Sequence, residues 1–209
     1  MWKGMNALEL HAVTDGSKSV EQLADIILSI SASVDYVHIR EKEKKAGEII
    51  RLIELLIKSG FPNQKLVIND RLDVALVTGI RNVHLPGRGI PVQKVKGAFP
   101  DIRTGVSVHS LEEAVTAEKD GADYIMFGHI FQTNCKKGKA PKGVDVLRKI
   151  TECVKIPVIA IGGIEPGNIK QVLEQRAAGA AVMSYIFSSS DPENAAKLLR
   201  RGEKASEGF

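Results

Sequence analysis

Residues 157–164 read Pro157-Val158-Ile159-Ala160-Ile161-Gly162-Gly163-Ile164, a short β-branched run opened by a proline and closed by two glycines. So short an apolar run, bounded by turn signals, is a buried strand rather than a helix. Outward from it the same unit recurs. Strands are expected at residues 8–13, 36–39, 65–68, 82–85, 103–108, 124–127, 157–161 and 180–183, with amphipathic segments between them. Val20, Leu23, Ile26, Ile27 and Ile30 share one helical face, as do Ile49, Leu52, Ile53 and Leu56. Ser110-Leu111-Glu112-Glu113 reads as a capping box opening a helix to Asp120, and Asp191-Pro192 supplies an acceptor and a first-turn proline to the last helix. The helix at 72–77 is short, and the one after the fourth strand is punctuated by Gly97 and Pro100.

Alternating strands and helices imply parallel strands joined by crossover helices. Eight evenly spaced units, with no GxGxxG after the first strand, favour closure into a single (β/α)8 TIM barrel over a doubly wound open sheet. Residues 1–209 are therefore expected to form one α/β domain, with 203–209 frayed.

The 29 basic residues are spread among 25 acidic ones, so the net charge of +4 makes no nucleic-acid surface. Lys197, Arg200, Arg201 and Lys204 fall at helical spacing and suit a solvated face. Two cysteines, Cys135 and Cys153, lack ligand or disulfide spacing and point to reduced thiols in the cytoplasm. No apolar stretch approaches the roughly 20 residues a membrane helix needs, and residues 1–10 show no targeting signal.

In such a barrel the chemistry gathers at strand C-termini, and four clusters lie there. Gly162-Gly163 after strand seven and Val182-Met183-Ser184 after strand eight can offer backbone N–H groups to an anion; the bland alternative is a tight turn. His38-Ile39-Arg40-Glu41-Lys42 leaves strand two with His38, Arg40 and Lys42 on one side, suited to an anionic substrate, or else is a surface charge run. Asn69-Asp70-Arg71 follows strand three, where Asp70 could serve magnesium or cap the third helix. Phe127-Gly128-His129-Ile130-Phe131, then Thr133, Cys135 and Lys136, follows strand six, and an imidazole titrates near neutrality. Strand-end position favours His129 and His109 over His11 as a base. With no HExxH-type pair, no catalytic metal is expected.

Together with Val83-His84-Leu85, Ser107-Val108-His109-Ser110 and Ala122-Asp123-Tyr124, these motifs resemble the thiamine phosphate synthase superfamily from strand one to strand eight. The resemblance implies one of two activities. The synthase joins a pyrimidine pyrophosphate to a thiazole phosphate and uses magnesium, held partly by a carboxylate in the loop after strand four. Here that loop is Pro86-Gly87-Arg88-Gly89-Ile90-Pro91, without a carboxylate, and Cys135 stands where a second hydroxyl is usual.

These departures, with Gly128-His129-Ile130-Phe131 and Cys135-Lys136-Lys137-Gly138, resemble thiazole tautomerases of the TenI type. That likeness implies an isomerase without cofactor, aromatising a carboxythiazole phosphate with His129 as acid/base. Arg40 and Lys42 would then stabilise charge, Gly162, Gly163, Met183 and Ser184 would hold the phosphate, and Asn69, Ser107, Thr133 and Lys136 would make further contacts. The synthase is the alternative, and a non-catalytic sensor of a phosphorylated ligand is a second. The superfamily also implies a homodimer.

Overall fold

The computed structural model describes residues 8–133, 136 and 138–204. Eight parallel strands close into a barrel in chain order: β1 (Glu9–Val13), β2 (Tyr36–Ile39), β3 (Leu66–Asn69), β4 (Asn82–Leu85), β5 (Arg103–Val108), β6 (Tyr124–Gly128), β7 (Val158–Ile161) and β8 (Gly179–Val182). Closure is explicit, because β1 is bonded to β2 on one side and to β8 on the other. The open-sheet alternative is thereby excluded. Strands two, four and five keep their expected bounds, strands one, six and seven differ by one residue at one end, and strands three and eight are displaced by one residue at both ends.

The helices are α1 (Val20–Ile30), α2 (Ala46–Lys58), α3 (Leu72–Thr78), α4 (Val92–Ala98), α5 (Leu111–Lys119), α6 (Val144–Cys153), α7 (Ile169–Leu173), α8 (Ser184–Phe187) and α9 (Pro192–Lys204). The last runs two residues into the tail expected to fray, and 205–209 lie outside the described residues. No helix among the described residues is long and apolar enough to cross a membrane.

Alternation along each strand divides the molecule into two cores. Outward-facing residues such as Leu10, Val37, Ile39 and Ile68 pack against the helices, where Ile49, Leu52, Ile53 and Leu56 of α2 are all buried. Each such side chain contributes roughly 1.5–3 kcal/mol relative to an exposed one. Inward-facing residues form a smaller apolar cluster of Val13, Tyr124, Met126, Ile159 and Ala181. Gly105 is part of that interior: a Cβ there would lie 2.0 Å from Cζ of Tyr124, so the missing side chain makes room for the ring.

The caps follow sequence with two corrections. Ser19 and Gln22 form a reciprocal capping box on α1, with both bonds present. At α5, Ser110 Oγ does accept from the Glu113 N–H at 3.1 Å, but the Glu113 carboxylate turns to the His109 N–H at 2.6 Å instead of back to Ser110. The box is half formed because His109 offers a nearer donor. Asp70 is not the cap of α3; Arg71 holds that position, and Asp70 sits before it in the left-handed region at φ 61°.

Candidate functional site

The C-terminal ends of the strands surround a cavity of about 660 Å³. All eleven residues expected from sequence lie on its wall: Arg40, Lys42, Asn69, Ser107, His129, Thr133, Lys136, Gly162, Gly163, Met183 and Ser184. A depression of about 330 Å³ over α8 and α9 is lined by serines and Asp191 but by no cation or imidazole, so it offers an anion much less.

One side of the cavity is cationic. Arg40 and Lys42 enter from the end of β2, and its backbone is anchored where the Arg40 N–H donates to Thr14 Oγ1 at 2.8 Å. Lys136 approaches from the loop after β6. Burial, reinforced by the charges of Lys139, Lys142 and Arg40, holds its ammonium below the usual lysine range. Mutual repulsion of this kind marks a surface that lacks its counter-charge. Cys135, the altered position in this loop, lies outside the described residues. Arg71 also lines the cavity, but its guanidinium grips Asp73 through bonds of 2.9 and 2.6 Å.

The opposite side is made by the turns after β7 and β8. Gly162 and Gly163 adopt φ 103° and 67°, and a Cβ on Gly162 would meet the Cβ of His129 at 2.3 Å. These glycines therefore do more than turn the chain: they let the loop after β6 lie against the end of β7. The Phe131 N–H donates to Gly162 O at 3.0 Å, and Asn168 Nδ2 donates to Gly163 O at 2.8 Å. The carbonyls are thus spent on protein partners, while among the described residues the N–H groups of Gly162, Gly163 and Ser184 make no such turn or loop bond to another backbone carbonyl. Backbone N–H groups bordering a cavity suit a phosphate.

The two candidate bases are placed differently. His129 is buried to 5 % exposure, with Nε2 3.3 Å from Lys139 O, so one ring nitrogen is turned to the loop. His109 donates from Nδ1 to Gly128 O at 3.0 Å and stays exposed at the rim.

His38, expected to face an anionic substrate beside Arg40 and Lys42, does not line the cavity but joins two other strand histidines in the interior. His11, His38 and His84 are buried inside the barrel beneath the cavity, with His84 on its floor. His38 Nδ1 lies 3.0 Å from Asn69 Oδ1, and His84 Nε2 lies 2.8 Å from Ser107 Oγ. Burial, foremost, pushes all three imidazoles below their ordinary range, His84 to about 3, so they are neutral near pH 7. The signal available was alternation, since each of these histidines lies an even number of residues from another inward-facing position on its strand.

The described residues form no magnesium site from protein ligands alone. Among the described residues no group of three His, Cys, Asp or Glu side chains converges. Asp70 and Glu41 line the cavity, but Glu41 is tied to Lys44 at 2.7 Å. From the loop after β4, Pro86 and Gly87 reach the wall while Arg88 does not line it.

The family model described as thiamine monophosphate synthase matches residues 10–186. A thiamine-phosphate synthase of Pyrococcus furiosus is 34% identical over 197 residues, covering 94% of this chain and 95% of the relative. That of Chloroflexus aurantiacus is 37% identical, covering 91% and 90%. Among solved structures, the thiamine phosphate pyrophosphorylase of P. furiosus superposes with a TM-score of 0.81 at 33% identity, covering 96% of this chain and 98% of that one. A 3-hexulose-6-phosphate synthase, at 19% identity and TM-score 0.75, shares the fold. These names overturn the expected tautomerase and its isomerase class: relatives matching nearly end to end are synthases.

Proposed function

Because the chain belongs to the thiamine monophosphate synthase family, we propose that it is a thiamine-phosphate synthase, coupling a pyrimidine pyrophosphate to a thiazole phosphate. The observation that carries this reading is the division of one cavity into two anion-binding sides, which matches two phosphorylated substrates meeting between them. In the coupling, the thiazole ring nitrogen forms a bond to the carbon that bears the pyrophosphate. The carbon–oxygen bond breaks and its electron pair leaves with the pyrophosphate. No proton moves at the reacting atoms, so the reaction needs orientation and charge stabilisation more than a base.

In this proposal Gly162, Gly163, Met183 and Ser184 hold the thiazole phosphate. Arg40, Lys42 and Lys136 receive the negative charge that grows on the departing pyrophosphate. Thr133 adds a hydroxyl contact, and Asn69 and Ser107 orient the pyrimidine. His129 is a positioning residue here, holding the loop that carries Thr133 and Lys136 through its contact with Lys139 O. Among the described residues no three ligands converge, so a magnesium ion would be held by Asp70 together with the substrate's phosphate oxygens, where it would neutralise charge on the pyrophosphate alongside these side chains. A homodimer and a cytoplasmic location belong to the same proposal; light scattering at twice 22.7 kDa would support the pairing, and at 22.7 kDa would count against it.

The proposal is tested by mixing the protein with both substrates and measuring thiamine phosphate by fluorescence after oxidation, for wild type and Lys136→Ala. A charge-assisted contact is worth about 1.5–3 kcal/mol, so the variant is expected to lose roughly tenfold or more in kcat/KM for the pyrophosphate substrate. Wild type that forms no thiamine phosphate contradicts the proposal.

A further inference from the structure

A hydrogen-bonded line crosses the barrel from its N-terminal end to the cavity. It runs from the Glu9 carboxylate to His11 Nε2 at 3.2 Å, from His11 Nδ1 to His38 Nε2 at 2.9 Å, and from His38 Nδ1 to Asn69 Oδ1 at 3.0 Å. Glu9 is partly exposed at the far end, whereas His11 and His38 are fully buried and Asn69 lines the cavity.

The number of protons in this line is constrained. Three links need three donated protons, and two neutral imidazoles bring one each. An ionised Glu9 can only accept, so His11 donates from Nε2 and accepts on Nδ1. His38 must then donate from Nε2, which leaves its Nδ1 bare. A bare nitrogen can be satisfied only by a donor, and the remaining donor is the NH2 of Asn69. The two ends of a carboxamide have nearly the same shape, so proton count decides which one faces His38, and it puts Nδ2 where Oδ1 stands at 3.0 Å. Turning the carbonyl oxygen to His38 would require a third proton on the imidazole pair. Arg103 opposes that proton, as does His84, whose ring lies 5.4 Å from that of His38. Glu9 and Asp35 favour it, and Tyr36 and Tyr124 are neutral ring neighbours of His11 at 4.8 and 6.3 Å. Burial of the pair weighs against the extra charge.

A second line fixes its neighbour in the opposite sense. Tyr124 Oη lies 3.2 Å from His84 Nδ1, its sole hydrogen-bond partner among the described residues, and burial raises the phenol well above its ordinary range, so it keeps its proton and donates it. His84 then donates from Nε2 to Ser107 Oγ, and the Ser107 hydroxyl proton is free for the cavity.

We propose that the buried histidines are positioning residues that set the hydrogen-bond polarity of the cavity floor, with Asn69 presenting its carbonyl oxygen and Ser107 its hydroxyl proton. The matching ligand is a nitrogen heterocycle or amide that offers an N–H to Asn69 and a lone pair to Ser107. Such recognition does not depend on which reaction follows.

The test is nuclear magnetic resonance of the full-length, ¹⁵N-labelled, ligand-free protein near pH 7.5, reading the protonated nitrogen of each imidazole from long-range ¹H–¹⁵N correlations. His11, His38 and His84 are all expected to carry the proton on Nε2, with the Asn69 amide coupled across its hydrogen bond to a bare His38 Nδ1. A protonated Nδ1 on His38 would overturn the proposal. Glu9→Gln, far from the cavity, replaces a pure acceptor by a group that can donate. It is expected to give a mixture of tautomers at His11 and His38 while leaving His84 unchanged. A variant with the wild-type tautomers would show that Glu9 does not set the line and would overturn that part. Because no substrate is present, failure here is distinct from failure of the coupling assay.

Discussion

At the scale of single residues, the cavity depends on positions where a side chain is missing as much as on those where one is present. Gly162 combines a left-handed backbone with contact to His129, so no L side chain fits without moving the loop after β6. Gly162→Ala is expected to destabilise the protein by about 2 kcal/mol or more in urea unfolding, since strain and steric displacement act together. An unchanged midpoint would mean that the loop gives way freely. Sequence made this pair of glycines visible as an anion cradle; the close approach of Gly162 to His129 was not visible, because it depends on how the loops after the neighbouring strands β6 and β7 meet in space. The histidine lines are a similar case. His11, His38 and His84 are separated by 27 and 46 residues, and only the barrel register brings them together.

At the scale of elements, the strands were legible because each is a short β-branched run with turn signals at both ends, and errors were confined to single terminal residues. The helices were legible from their apolar faces. The cap on α5 was only half legible, since competition between the His109 and Ser110 N–H groups for Glu113 is settled by geometry. On α1 the reciprocal box is complete, so Ser19→Ala is expected to cost about 1 kcal/mol, measured as a fall in the urea midpoint at constant slope. The loops misled the functional reading. A missing carboxylate in 86–91 and Cys135 were weighed as marks of a different reaction, although loops after barrel strands vary without changing the scaffold. The end-to-end match to synthases outweighs those two positions.

At the scale of the whole molecule, the barrel interior stores an acid sensitivity. His11, His38 and His84 are held neutral by burial, so their folded pKa values lie below the unfolded value of about 6.5. Above that pH both states are neutral and their contribution to stability is fully present. Below it the unfolded chain takes up protons that the folded barrel refuses, so stability falls with acid until the folded groups titrate, near 3 for His84. For His84 the cost is expected to approach about 1.4 kcal/mol per pH unit within this window, and His11 and His38 act in the same direction. Urea unfolding at pH 7.5 and pH 5.5 checks this, and equal stabilities at the two values would refute it.

The central claim is that one cavity brings two phosphorylated substrates together and joins them. The most direct measurement is a single turnover with enzyme in excess over radiolabelled pyrimidine pyrophosphate, with thiazole phosphate saturating, following pyrophosphate and thiamine phosphate in the same samples. The account requires both products to appear in equal amounts and at the same rate. Pyrophosphate released without thiamine phosphate, or neither product formed, would contradict it.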